Sequence, residues 1–294
     1  MPLPHRHAYN AFGSHWEITV WDDMLSSRFD ALIAEILKQS ERFENEFSRF
    51  RPNSFVSRLA AEKRVGIIEV PRDFVAMLRP YFSLYEASGR KITPLIGNTL
   101  SDLGYDTEYS LTPKKIVRIA PDLLETVEIL DESRIRLAYP VSFDFGAIGK
   151  GYFTDRIADF LRESGIRRFL VDGSGDIVYE GDGVPIRAGL EDPRDATRVV
   201  GSIEMVRGAF CASGTSRRRW REYHHIIDPD TVTSPEHLLA SWVIAENAAL
   251  ADILATALFL AEPNALRAVY PFEYATLDPN FVLRQSPDLG AEAY

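Results

Sequence analysis

The chain has 294 residues, 46% of them apolar and 26% charged, which is enough to bury a large core as one domain or two lobes. Thirty-three basic against forty-three acidic residues give a formal charge of −10, which repels nucleic acid and anionic membrane over most of the surface. No apolar run reaches the ~18 residues of a membrane span, no signal-type apolar core follows Met1, and a single cysteine, Cys211, excludes an internal disulfide, so a cytoplasmic protein without membrane insertion is expected.

Residues 12 to 21 alternate apolar and polar with aromatic and β-branched side chains, the pattern of a half-buried strand. From Ser27 to about Phe47, the residues Phe29, Leu32, Ile33, Ile36, Leu37 and Phe43 fall at helical spacing and predict a helix. A proline-containing turn from Phe47 to Ser54 carries Arg49 and Arg51. Pro71 to Ser88 predicts a second helix stopped by Gly89, with Pro80 kinking or splitting it. Ile92 to Gly97 and Leu103 to Asp106 read as loops, and short strands at 127–130 and 135–137 flank a turn at Asp131 to Ser133.

The stretch Phe143-Asp144-Phe145-Gly146-Ala147-Ile148-Gly149-Lys150-Gly151 leaves an apolar segment, passes three glycines and a lysine, and opens a helix over 151–164. Glycines there permit positive φ and close approach of a ligand, the helix start offers unpaired N–H groups to an anion, and Lys150 adds a point charge. A phosphate suits that cradle. A tight connection is the plainer alternative, and neither the P-loop nor the dinucleotide glycine fingerprint is met. Strands follow at 169–171 and 177–179 around Asp172-Gly173-Ser174-Gly175-Asp176, then at 185–190, 199–206, 208–212 and 242–246. An apolar helix spans 247–261, and short strands lie near 274–277 and 281–284. Runs of strands broken by a few helices argue for an α+β fold with mixed, largely antiparallel sheets and packed helices, and no repeat or linker divides residues 1–294.

The helix at 247–261 is apolar nearly all round, yet it carries Asp252 and Thr256 one turn apart on the same face. A buried carboxylate needs a base, a backbone end to cap, or a cation. Asp and Thr oxygens suit Mg²⁺, which completes its shell with waters and substrate phosphates; a capping role near the helix start is the alternative. Arg217, Arg218, Arg219 and Arg221 suit a solvated patch, a nucleic-acid contact or a phosphate clamp, and the net charge makes nucleic acid the weakest of the three. His225 and Asp228 suit a general base and its partner, whereas the other histidines make no zinc spacing with them.

Seven segments now stand in order: Ser48-Arg49-Phe50-Arg51-Pro52-Asn53-Ser54; Thr93-Pro94-Leu95 with Leu103-Gly104-Tyr105-Asp106; Asp144 to Gly151; Val171 to Asp176; Ala212-Ser213-Gly214; His225-Ile226-Ile227-Asp228-Pro229; and Ala251-Asp252-Ile253-Leu254-Ala255-Thr256. Together they resemble the FAD:protein FMN transferase (ApbE-like) family. The resemblance implies an α+β, T-fold-related architecture that binds FAD, with Mg²⁺ held by the Ala147 carbonyl, Asp252 and Thr256, and Ala255 nearby. It also implies an FAD site at Phe50, Arg51, Thr93, Pro94, Asp144, Gly146, Asp172, Ser213, Gly214, Arg218 and His225. Lys150 would assist at the phosphates, and His225, with Asp228, would be the acid/base group. The family moves the FMN half of FAD onto a Thr or Ser hydroxyl of an acceptor flavoprotein, leaving AMP. An FAD pyrophosphatase and a non-catalytic FAD carrier are alternatives on the same residues. The chain departs from the family pattern in three places. Phe50 stands where many members have tyrosine, Val232 stands where glycine is usual beside the proposed base, and an export signal common in the family is lacking, which implies a cytoplasmic acceptor.

Overall fold

The computed structural model describes residues 3–294. The chain starts as a hairpin of β1 (His5–Ala11) and β2 (Ser14–Val20), turned at Phe12 and Gly13, which both have positive φ. The alternation expected as one strand over 12–21 is thus β2 and its turn, and β1 is an additional edge strand. Helix α1 (Ser26–Phe47) buries Phe29, Leu32, Ile33, Ile36, Phe43 and Phe47, as its spacing predicts. Ser54 caps α2 (Phe55–Ala61) by accepting from the Ser57 N–H at 3.1 Å. After β3 (Gly66–Glu69) comes α3 (Arg72–Ala87), which runs unsplit through Pro80. One missing N–H is tolerated there because Phe74, Val75, Met77, Leu78, Tyr81 and Leu84 anchor the helix in the core on both sides of the proline.

A 3₁₀ turn at Pro94–Ile96 leads into α4 (Gly97–Asp102). Beyond it, α5 (Leu123–Thr126), β4 (Val127–Ile129) and β5 (Arg134–Leu137) follow, and β3-β5-β4 make a small antiparallel sheet. Helix α6 (Gly149–Glu163) feeds β6 (Phe169–Asp172) and β7 (Asp176–Glu180). The hairpin of β8 (Ile186–Asp192) and β9 (Asp195–Met205) precedes β10 (Arg207–Gly214), and β11 (Arg219–Trp220) pairs with β12 (Tyr223–His224). Next are β13 (Ala240–Ala245), α7 (Ala248–Ala257), α8 (Pro263–Arg267), β14 (Glu273–Leu277), β15 (Leu283–Gln285) and β16 (Glu292–Ala293).

Eight strands form one antiparallel sheet in the order β1-β2-β6-β7-β10-β13-β14-β15. Side chains alternate across it. From β10 and β13, Ala209, Cys211 and Val243 enter the main core with Trp16, Phe153 and the helices, while Phe210 and Trp242 enter a second core with Tyr179, Leu190 and Ile203. The architecture is α+β and largely antiparallel, as expected. Cys211 is fully buried, its thiol directed at the Ala248 carbonyl 3.4 Å away, which makes it a packing residue. Among the described residues, no helix is long and apolar enough to cross a membrane.

The start of α7 is held from outside its own chain segment. Asp155 on α6 accepts from the Ala248 and Ala249 N–H groups at 2.8 Å each, and Asn247 accepts from Leu250 at 2.9 Å. Burial raises the Asp155 carboxyl to about 6, partly offset by those two N–H donors. The native chain therefore holds this proton more tightly than the unfolded one, and the contribution of Asp155 to stability declines as pH rises through ~4 to ~6. Asp155→Asn removes the titration. Wild-type stability in urea should fall relative to the variant by ~2–3 kcal/mol across that window, and a constant difference would contradict the assignment.

Candidate active site

Helix α7 crosses the start of α6, and their contact builds a buried charged centre. Asp252 Oδ2 accepts from the Gly151 N–H at 3.0 Å, and Asp252 Oδ1 lies 3.8 Å from Lys150 Nζ. Lys150 is ion-paired with Asp176 at the start of β7. Burial lowers the Lys150 pKa, but the charges of Asp176 and Asp252 outweigh it and raise the ammonium above its ordinary value. Asp252 is raised, by burial first and then by Asp176. Two buried carboxylates thus share one lysine.

The glycines work here by their lack of a side chain. None of Gly146, Gly149 and Gly151 has a positive φ, contrary to the expectation drawn from the sequence. A Cβ on Gly151 would run into the Ala248 carbonyl and come within 2.7 Å of Asp252 Cβ. A Cβ on Gly146 would meet Asp144 Oδ1 at 2.7 Å, where that oxygen already accepts from the Gly146 N–H.

Beside the centre opens a cavity of about 740 Å³, walled by the β1–β2 turn, the end of α1, the loops after α3 and α4, the glycine stretch and the segment around His225. Phe50, Arg51, Thr93, Asp144, Gly146, Ala147, Lys150, Arg218, His225 and Thr256 line it, which gathers ten of the residues expected from the sequence. Phe50 stacks on Tyr109 with centroids 5.1 Å apart and meets Tyr105 edge-on at 5.2 Å, while Tyr105 stacks on Trp220 at 5.5 Å. The Arg49 guanidinium lies over Phe50 at 4.2 Å and is ion-paired with Asp144. Arg218 has no ion pair among the described residues.

Six buried side-chain polar atoms among the described residues lack a well-formed hydrogen bond: Arg49 Nη2, Tyr81 Oη and His225 Nδ1 belong to residues of the cavity wall, and Asp176 Oδ1 belongs to the buried centre behind Lys150. The others, Arg168 Nε and Glu273 Oε2, lie elsewhere. Unpaired buried polar groups are costly, so their concentration at one cavity marks a place where a ligand completes the bonding.

Several expected residues play other parts. Asp228 does not reach His225: it binds Lys91 at 2.6 Å and accepts from Asp230 and Thr231 at 2.9 and 3.3 Å. An aspartate at the head of an Asp-Pro-Asp-Thr turn folds back onto its own backbone, which consumes the carboxylate. Lys150 lines the cavity but is ion-paired with Asp176 and lies 3.8 Å from Asp252. Arg51, on the cavity wall, is ion-paired with Glu41 and Glu44 at 2.6 and 2.7 Å. Asp172 ties down its glycine turn through Gly175 N–H at 2.8 Å and is not part of the cavity wall. Ala255 turns its carbonyl to Ser241 at 2.7 Å, away from the centre. Pro94 is buried and accepts from the Asp144 N–H at 2.8 Å, and Ser213, beside Gly214 at the end of β10, reaches Thr256 Oγ1 at 3.3 Å. Val232 has φ +58°, the left-handed conformation that favours glycine, yet its turn closes normally through the Asp228–Thr233 bridge. Burial, then the Arg218 charge, holds His225 well below its usual pKa and therefore neutral.

The ApbE family model matches residues 12–274. This chain belongs to the ApbE family. It is similar to the FAD:protein FMN transferase of Klebsiella pneumoniae (strain 342), 27% identical over 277 residues that cover 87% of this chain and 78% of that protein. The Haemophilus influenzae protein of the same name is 25% identical over 274 residues, covering 85% and 76%. Among solved structures, the ApbE protein from Thermotoga maritima superposes with a TM-score of 0.83 at 22% identity over 97% of each chain. The flavin transferase ApbE from Vibrio cholerae gives 0.78 at 21% identity over 96% and 97%. These likenesses confirm the ApbE fold.

The ApbE chain gathers no group of three His, Cys, Asp or Glu side chains suited to a metal among the described residues. A cation here would rest on one carboxylate, Asp252, with neutral oxygens from Thr256 and Ala147. That donor set fits a hard cation, and the excess of buried carboxylate over lysine favours one electrostatically.

Proposed function

We propose that this chain transfers the FMN half of FAD, in a Mg²⁺-dependent reaction, onto a Thr or Ser hydroxyl of an acceptor flavoprotein and releases AMP. The names of its relatives support the reaction class, and the observation that carries it to this site is the concentration of unpartnered buried polar groups around one aromatic-walled cavity. At about 740 Å³ the cavity is within the size of cofactor sites. The shelf of Phe50, Tyr105 and Tyr109 suits a flat heteroaromatic ring, and Arg218 suits the phosphates.

When bound, Mg²⁺ supplies charge neutralisation at the pyrophosphate, with Ala147, Asp252 and Thr256 as its holders. His225 performs the proton transfer. Its Nδ1 is buried, with the Arg218 carbonyl as the neighbouring acceptor, which leaves Nε2 as the nitrogen to take the proton from the acceptor hydroxyl. The acceptor oxygen bonds to the flavin-side phosphorus, the bridging P–O bond breaks, and its electron pair leaves with AMP. Because His225 is held neutral, it is a competent base at ordinary pH without help from Asp228. Lys150 acts indirectly, keeping Asp176 and Asp252 together.

The test is incubation with FAD, Mg²⁺ and an acceptor flavoprotein presenting a Thr or Ser. Covalent flavin on the acceptor and an equal amount of AMP are expected. AMP without labelled acceptor would make the chain an FAD hydrolase, and intact bound FAD with neither product would make it a carrier.

A further inference from the structure

Tyr81 is a fully buried residue on the wall of this cavity whose hydroxyl proton finds no acceptor in the protein. It follows Pro80 on α3, is 1% exposed, and shares the cavity wall with Gly146, Ala147 and Thr256. Its ring lies 6.2 Å from that of Phe145, in a neighbourhood otherwise filled by phenylalanines such as Phe74 and Phe143. Phenylalanine would pack there equally well. The Ala147 N–H is directed at the Tyr81 phenol oxygen without closing a well-formed hydrogen bond, the charges of Asp144 and Asp252 act on it, and the O–H proton itself has no acceptor in the protein. A hydroxyl left in that state destabilises the ligand-free fold.

We propose that Tyr81 is a ligand-contacting residue whose hydroxyl donates to an oxygen at the cation–phosphate centre, either a phosphate oxygen or a water on the cation. The inference rests on the reading of this cavity as the FAD and Mg²⁺ site. It accounts for a polar group placed in an apolar helix face beside Ala147: the ligand supplies the partner that the protein withholds. The phenol is a donor because burial, with the two nearby carboxylates, keeps it protonated.

Tyr81→Phe removes the hydroxyl and keeps the ring. Without ligand, the variant should melt ~1–4 °C above the wild type, since an unpaired buried group is gone. With ligand, affinity should fall ~10-fold, the size of one lost hydrogen bond to a charged group. Two probes locate the partner by calorimetry: MgCl₂ alone, where a loss points to cation-bound water, and ADP with a chelator, where a loss points to a phosphate oxygen. A lower ligand-free melting temperature would show that the hydroxyl is already bonded in the protein, and unchanged affinity for both probes would show that it is idle; either result overturns the proposal. If the wild type itself binds neither probe, the site reading fails first, and the two failures are distinguished by that control.

Discussion

Asp252→Ala is expected to lower Mg²⁺-dependent AMP release from FAD by ~10²–10³-fold while the chain remains folded. In the proposed donor set Asp252 is the one carboxylate, beside Thr256 and Ala147, so its removal would leave only neutral oxygens to hold a divalent cation. The fold survives because what remains is balanced: Lys150 and Asp176 then pair one to one, and what is forfeited is the hydrogen bond from Gly151 and the longer contact with Lys150. The loss of stability should be ~1–2 kcal/mol, softened by removal of a carboxylate that burial already disfavours. Circular dichroism and urea unfolding check the fold, calorimetric Mg²⁺ titration checks the site, and AMP release checks the reaction. Persisting Mg²⁺-dependent turnover in a folded variant would remove Asp252 from the cation site.

The helices with strong apolar spacing were legible in the sequence, and so were the strands on either side of the Asp172–Asp176 turn, because periodicity and glycine punctuation act locally. Strand β1 was not, since an edge strand reading His-Arg-His-Ala-Tyr-Asn-Ala has one weakly apolar face. Pro80 signals a break that tertiary packing overrides. At the site, residue types were more legible than their partnerships. His225 and Asp228 stand three apart in sequence and suggest a pair, but local backbone donors and Lys91 compete successfully for the carboxylate. Asp176 lay in view within a glycine-rich turn, and nothing local marks it as the counter-ion of Lys150, twenty-six residues away. Tyr81 is silent altogether: it falls on the apolar stripe of a helix, where a tyrosine and a phenylalanine predict the same element.

Gly151→Ala should be strongly destabilising, costing ~2–4 kcal/mol of stability in urea unfolding. Elsewhere a glycine near a helix start is replaced at little cost, and alanine even favours the helix. Gly149 is such a place, for its added Cβ would find nothing nearer than Phe145 Cβ at 3.9 Å. Gly149→Ala should therefore change stability by less than ~0.5 kcal/mol. At Gly151 the new carbon meets backbone, the Ala248 carbonyl, and Asp252 Cβ at 2.7 Å, so no side-chain rotation relieves it and α7 must move off α6. That movement takes Asp252 from the Gly151 N–H and shifts Thr256 relative to the glycine stretch. Stability and Mg²⁺ affinity should consequently fall together in Gly151→Ala, whereas Asp252→Ala loses affinity with most of its stability retained. Were Gly151→Ala as stable as Gly149→Ala, the close crossing of α6 and α7 would be wrong, and with it the proposal that one cation is shared by Ala147, Asp252 and Thr256.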